Sequence, residues 1–238
     1  MLNDFWENRI DAGYYDRILE EGINRGRGIQ PNWHHSTFSY VKKFIKREDI
    51  HLDFACGPGT FIGKYSSGES IGVDISKKQI EYAANKYGHA GNFVTNEEFD
   101  FSIYQNYFDK ITIIGLFEFL NDDEILLLLD DLHFILKDNG TILLTTPNFN
   151  SLMSVFEKIV NLITQVNYKN EHVNKFNKIK MNNLLTKSKF KSVKVIKILN
   201  LGVFFGLLGF DISNRIQNII YKFNRHKSGY LLLGIIKK

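Results

Sequence analysis

Between Ile50 and Pro147 five short apolar runs alternate with amphipathic ones, and few architectures accept that pattern. The apolar runs are "IHLDFA", "SIGVDI", "GNFVT", "KITIIGL" and "GTILLTTP". Between them stand "TFIGKYS", "KKQIEYAANKYG" closed by Gly88, the loop "NEEFDFSIYQNY" and the long "DDEILLLLDDLHFILK". Strands apolar on both faces and separated by helices predict an α/β fold, a parallel sheet covered on both sides. In such sheets ligands sit outside the carboxyl ends of the strands, where the strand order reverses.

The flanks read differently. The first fifty residues are helical in pattern, rich in aromatics and punctuated by "NRGRGIQPNW", with Ser36 or Thr37 placed to cap a helix through "FSYVKKFIK". After Pro147 come an amphipathic helix, "SLMSVFEKIVNLITQV", then a polar turn and helix in "HVNKFNKIKMNNLLTKSKF". "KSVKVIKIL" and "YLLLGIIKK" are strands that would complete the sheet at its edge. Between them lies the apolar, helix-like insertion "GVFFGLLGFDISNRIQNIIYKF". With 238 residues and no Gly/Ser-rich linker or repeat, one large domain is expected.

Composition removes several classes of function. Lys and Arg are scattered and the net charge is only +4, so no nucleic-acid partner is expected. Cys56 is the single cysteine, which excludes an internal disulfide or a multi-cysteine metal site and suits a reducing compartment. The start, "MLNDFWENRIDAGYY", carries charges where a signal peptide needs an apolar core, and "LGVFFGLLGF" is shorter than a bilayer span. A cytoplasmic protein is the expectation.

The first strand ends on Asp53, Ala55, Gly57 and Gly59. Glycines there let backbone turn sharply and approach a ligand closely. A carboxylate at the end of the second strand, Asp74, is placed to take both hydroxyls of a ribose, or simply to cap the helix after it. A dinucleotide fingerprint would need a third glycine where Ile62 stands, and Gly63 is one step late. A nucleotide-dependent oxidoreductase is therefore the weaker alternative.

"LDFACGPGTF", "IGVDIS", "FDKITIIGLFEFL" and "LKDNGTILLTTPN", in that order over about Ile50 to Asn148, resemble successive motifs of the class I S-adenosylmethionine-dependent methyltransferases. The resemblance implies a Rossmann-like, seven-stranded sheet whose last strand is antiparallel, and S-adenosylmethionine as cofactor. Residue by residue, it implies that Asp53 and the backbone around Ala55, Gly57 and Gly59 hold the methionine part. Asp74 would take the ribose, Ile75 would pack on adenine, and Asn96 or Glu97 would meet the adenine amino group. Gly115 and Leu116 would line the sulfonium end. The expected organisation is a single domain over 1–238, with a helical lid at 1–49, a cofactor-binding core at 50–148, and a substrate-side cap and terminal strands at 149–238.

The acceptor side is less defined. Many relatives carry a histidine where Phe119 stands in "LFEFL", so no base is expected there, and Glu118 alone does not build a metal site. "EHVNKF" resembles a stretch of ubiquinone-pathway O-methyltransferases and many small-molecule relatives, which would put His172 at the acceptor as a base for a hydroxyl proton; a helix-capping or surface histidine is the alternative. His34, with His35, Tyr14 and Tyr15, could overhang the cofactor from the lid or simply pack. The expected reaction is methyl transfer to an oxygen or nitrogen of a small-molecule, glycan-linked or lipid-linked acceptor. A non-catalytic protein that binds the same cofactor is the other alternative. Residues 201–225 could form core or lid, an oligomer surface or a peripheral membrane contact.

Overall fold

The computed structural model describes residues 5–149, 171–224 and 226–238. The described strands are β1 (Ile50–Phe54), β2 (Glu69–Asp74), β3 (Asn92–Thr95), β4 (Phe108–Ile114), β5 (Leu136–Pro147), β6 (Ser192–Ile198) and β7 (Leu231–Lys237). They make one sheet in the order β3-β2-β1-β4-β5-β7-β6. Only β7 opposes its neighbours, pairing antiparallel with both β5 and β6. The expected seven-stranded, mostly parallel sheet with an antiparallel last strand is therefore present, and strand order reverses between β1 and β4.

Why these strands are apolar on both faces follows from what covers them. Leu52, Ile111, Ile142 and Leu144 pack on one side against Ile125, Leu129 and Leu132 of helix α5 (Asp122–Ile135). Leu143, Leu231 and Leu233 face the other way, onto a cluster with Leu19, Val41 and Phe61. Each side buries its own set, so alternation along a strand disappears. Helix α5 starts where its sequence says it should. Asn121 Oδ1 accepts the Glu124 N–H at 2.9 Å, and Glu124 returns a carboxylate oxygen to the Asn121 N–H at 2.7 Å.

Helices α1 (Tyr14–Arg25) and α2 (Ile29–Val41) precede the sheet, and α3 (Thr60–Lys64) and α4 (Lys77–Tyr87) follow β1 and β2. Asp16 of α1 is fully buried. It accepts hydrogen bonds from Thr60 Oγ1 at 2.9 Å, Tyr82 and Tyr87 hydroxyls at 2.8 Å each, and Lys86 Nζ at 2.6 Å. That carboxylate fastens the N-terminal segment to α3 and α4.

Three expectations need correction. Ser36 and Thr37 cap nothing, because α2 already begins at Ile29 after Gly28; Thr37 Oγ1 instead donates to the Trp33 carbonyl at 2.8 Å. The helix also stops at Val41 and tightens into a 3₁₀ turn over Lys42–Phe44. The insertion is not one helix. A 3₁₀ stretch, Leu201–Leu207, breaks at Gly209 (φ 129°) before α7 (Phe210–Asn224). The remaining described helix is α6 (Lys178–Leu185); the helix expected over 151–166 lies outside the described residues.

Candidate functional site

The loop from β1 to α3 alternates left-handed residues, with Ala55 at φ 63°, Gly57 at 52° and Gly59 at 73°. The two glycines serve different ends. A Cβ on Gly59 would sit 2.6 Å from the Phe93 ring and 2.8 Å from Ala83, so packing alone forbids a side chain. A Cβ on Gly57 would meet nothing within 4 Å. Open space beside a strand tip is what a ligand approaching backbone requires. Ala55 holds the same conformation without glycine's freedom, a local strain of the kind found at binding loops.

Asp74 ends β2 and secures that loop. Its Oδ2 accepts the Gly57 N–H at 2.7 Å and its Oδ1 the Ser76 N–H at 2.9 Å. A carboxylate has about four lone-pair positions, so Asp74 keeps capacity for a further donor. Burial raises the Asp74 pKa, against the lowering effect of the backbone bonds from Ser76, Gly57 and Ile75. The next side chain, Ile75, lies 36% exposed. Asn96 donates its backbone N–H to the Asp74 carbonyl at 3.0 Å, which sets exposed Asn96 and Glu97 beside the same tip.

Asp53 is buried in β1, where Thr112 Oγ1 contacts it at 2.5 Å. Burial pushes its pKa up to about 7, with the Asp74 charge adding to the rise. The polar string continues away from the tip, from Thr112 to His51 Nε2 at 2.8 Å and from His51 Nδ1 to Ser70 Oγ at 3.0 Å. His51 is fully buried, and burial lowers its pKa to about 3, so it is neutral. Nothing in an apolar strand pattern signalled this string. Cys56 is inert packing, its thiol pushed up by burial and by the neighbouring carboxylates.

At the β4 tip Gly115 takes φ 75° and gives its N–H to the Thr145 carbonyl at 3.0 Å. Leu116 follows, half-buried against the core. Glu118 is buried, accepts from Thr146 Oγ1 at 2.9 Å, and has its pKa raised to about 7 by burial. A Cβ on Gly115 would lie 3.5 Å from Glu118 Oε1, so this acid borders the tip.

The N-terminal turn, Phe5–Arg9, reaches across these tips. Glu7 accepts from Ser76 Oγ at 2.6 Å, beside Asp74, and Trp6 meets Phe119 edge-on at 5.2 Å. Arg9 pairs with Glu171 at 3.5 Å. His172 is brought to the same place, 5.1 Å from the Phe119 ring and 5.7 Å from Phe149. His34 lies in the wall of the N-terminal segment, 5.7 Å from Tyr15 and 6.1 Å from Phe38, its pKa lowered to about 4 by burial. His35 turns elsewhere, its Nδ1 2.8 Å from the Tyr65 hydroxyl and its ring stacked on Phe210.

Residues 52–140 match the family model described as a methyltransferase domain. No curated protein matches the sequence. Among solved structures, the chain is similar to a SAM-dependent methyltransferase from Archaeoglobus fulgidus, at 24% identity and TM-score 0.56, over 85% of this chain and 93% of that one. It is also similar to magnesium protoporphyrin IX methyltransferase (ChlM) from Synechocystis PCC 6803 with bound SAH, at 14% identity and TM-score 0.61, covering 100% and 98%. A third, the plantazolicin methyltransferase BpumL in complex with SAH, shares 19% identity at TM-score 0.60, covering 100% and 93%. Identities this low make the likeness one of fold.

Proposed function

We propose that this protein, whose residues 52–140 match the methyltransferase-domain model, is a class I S-adenosylmethionine-dependent methyltransferase and moves a methyl group to an oxygen, or a nitrogen, of a small-molecule, glycan-linked or lipid-linked acceptor. The observation that carries this reading is the acid gathered at the strand tips. Asp53, Asp74 and Glu118 are buried there, with Glu7 beside them. Burial raises all three buried carboxyl groups, and charge repulsion adds to it for Asp53 and Asp74. A cationic ligand relieves that cost. When bound, S-adenosylmethionine supplies a methyl group on positively charged sulfur, near its ammonium group.

In this reading Asp53 and the Ala55–Gly59 backbone hold the amino-acid end, and Asp74 uses its spare lone pairs for the sugar hydroxyls. Ile75 offers apolar surface to the base, Asn96 or Glu97 reads its amino group, and Gly115 and Leu116 line the reacting end. Residues 1–49 serve as lid, and 149–238 supply the acceptor-side cap together with the terminal strands, around the 50–148 core. The chain's remaining tasks are to align the acceptor, exclude water and remove a proton. His172 is our choice for the proton, because its ring packs on Phe119, which follows the β4 tip. His34, a weak base packed in the wall, is not.

Two measurements check this. S-adenosylhomocysteine should raise the melting temperature in a concentration-dependent way while NAD leaves it unchanged; the reverse pattern sinks the methyltransferase reading. His172→Ala should slow methyl transfer by about a hundredfold or more, the scale of general-base catalysis, with S-adenosylhomocysteine affinity intact. Full activity in that variant would return His172 to a packing role.

A further inference from the structure

The segment between β6 and β7 anchors Val203 in the core, yet it also carries a row of apolar side chains outward. In α7 the inward positions include Ser213, fully buried, and Gln217, half-buried. Ser213 Oγ donates to the Gly202 carbonyl at 2.9 Å and accepts from Asn32 Nδ2 at 2.8 Å. Gln217 Nε2 reaches Ser213 Oγ at 3.2 Å. Ile212, Ile219 and Phe223, spaced seven and four apart, share one helix stripe and point outward, Phe223 at 88% exposure. Leu207 and Leu208, at 61% and 66%, extend the same apolar edge just before the helix. A helix that only packed on its own protein would place these residues the other way round.

Charge selects the occupant. Exposed Arg215 and Lys222 lie on α7 beside the apolar stripe. Exposed Arg27 adjoins Gly26, whose carbonyl accepts the Phe210 N–H at 2.8 Å at the start of that helix. From 201 to 227 the sequence holds one acid, Asp211, against four Lys and Arg. A second copy docked through this face about a twofold axis would bring like charges together. An anionic bilayer surface accepts both the apolar edge and the basic flank. No described helix is long and apolar enough to cross a membrane, so contact of this kind is superficial.

We propose that the Leu207–Phe223 face rests on anionic lipid. This does not depend on the methyl-transfer reading. The test is co-sedimentation of the full chain with phosphatidylcholine vesicles and with vesicles that also carry phosphatidylglycerol. The chain should pellet with the anionic vesicles about tenfold or more above the neutral ones, and less at high salt. Leu208→Glu with Phe223→Glu, and separately Arg215→Gln with Lys222→Gln, should each cut binding by about tenfold or more. All four side chains are exposed, so the fold tolerates the changes, and an unchanged melting temperature verifies it. Absence of pelleting, equal pelleting of the variants, or a dimer dissolved by the double glutamate variant without vesicle binding would each overturn the proposal.

Discussion

Replacing Asp16 by alanine is expected to lower the unfolding free energy by about 3 kcal/mol, within the roughly 3–5 kcal/mol that breaking a buried ion pair costs. The lower end applies because Lys86 keeps a second partner, Glu20, at 2.7 Å. What is lost is the shared acceptor of Thr60, Tyr82, Lys86 and Tyr87, two of whose hydroxyls are left buried. Burial works against the Asp16 charge, but the Lys86 bond and then the hydroxyls outweigh it, and the pKa sits below the ordinary value of 3.8. A carboxylate depressed by folding stabilises above its unfolded pKa. Its contribution is therefore complete above about pH 5 and lost as pH falls through the folded value. Urea unfolding of both proteins at neutral and strongly acidic pH checks this: the difference should shrink in acid. An equal difference at both would mean that packing, not charge, holds α1 down.

Asp74→Ala is expected to weaken S-adenosylhomocysteine binding by about 1–3 kcal/mol, the cost of leaving buried polar partners unmatched. Two effects combine. In the proposed site the sugar would lose its acceptor, and the Gly57 and Ser76 N–H groups lose theirs, so the loop that leaves space at Gly57 is no longer pinned. Titration calorimetry reads the change directly. Undiminished affinity would remove Asp74 from the cofactor site and leave it as a loop anchor alone.

Local features were legible in the chain, and distant pairings were not. The apolar runs announced the sheet because covering both faces leaves no polar alternation to obscure a strand. Gly57, Gly59 and Asp74 were visible because a tight turn and a strand-end acid are short-range chemistry. Asp16 was invisible for the opposite reason: in sequence it is an ordinary acid in a first helical turn, and its partners lie 44 to 71 residues away. His51 hid inside a run that reads as plain strand. Ser36 and Thr37 misled because capping residues also occur mid-helix when their hydroxyls bond the preceding turn, as Thr37 does. Glu7 at the β2 tip and Trp6 on Phe119 depend on how the N-terminal turn crosses the sheet, which no local pattern encodes.

The lone reversed strand has a geometric corollary. Since β6 runs alongside β5 in the same direction and β7 comes back between them, the chain from Leu199 to Tyr230 departs and returns on the rim that holds Asp74 and Glu118. Asn148, just past β5, clasps the homecoming end through Tyr230 and Gly229 at 2.9 and 2.7 Å. One margin of the sheet thus hosts two neighbourhoods with separate architects. The tips of β1, β2 and β4 shape the first, and the excursion before the last strand shapes the second, moored instead to the N-terminal helices through Asn32 on Val203 and Ser213 and through Gly26 on Phe210.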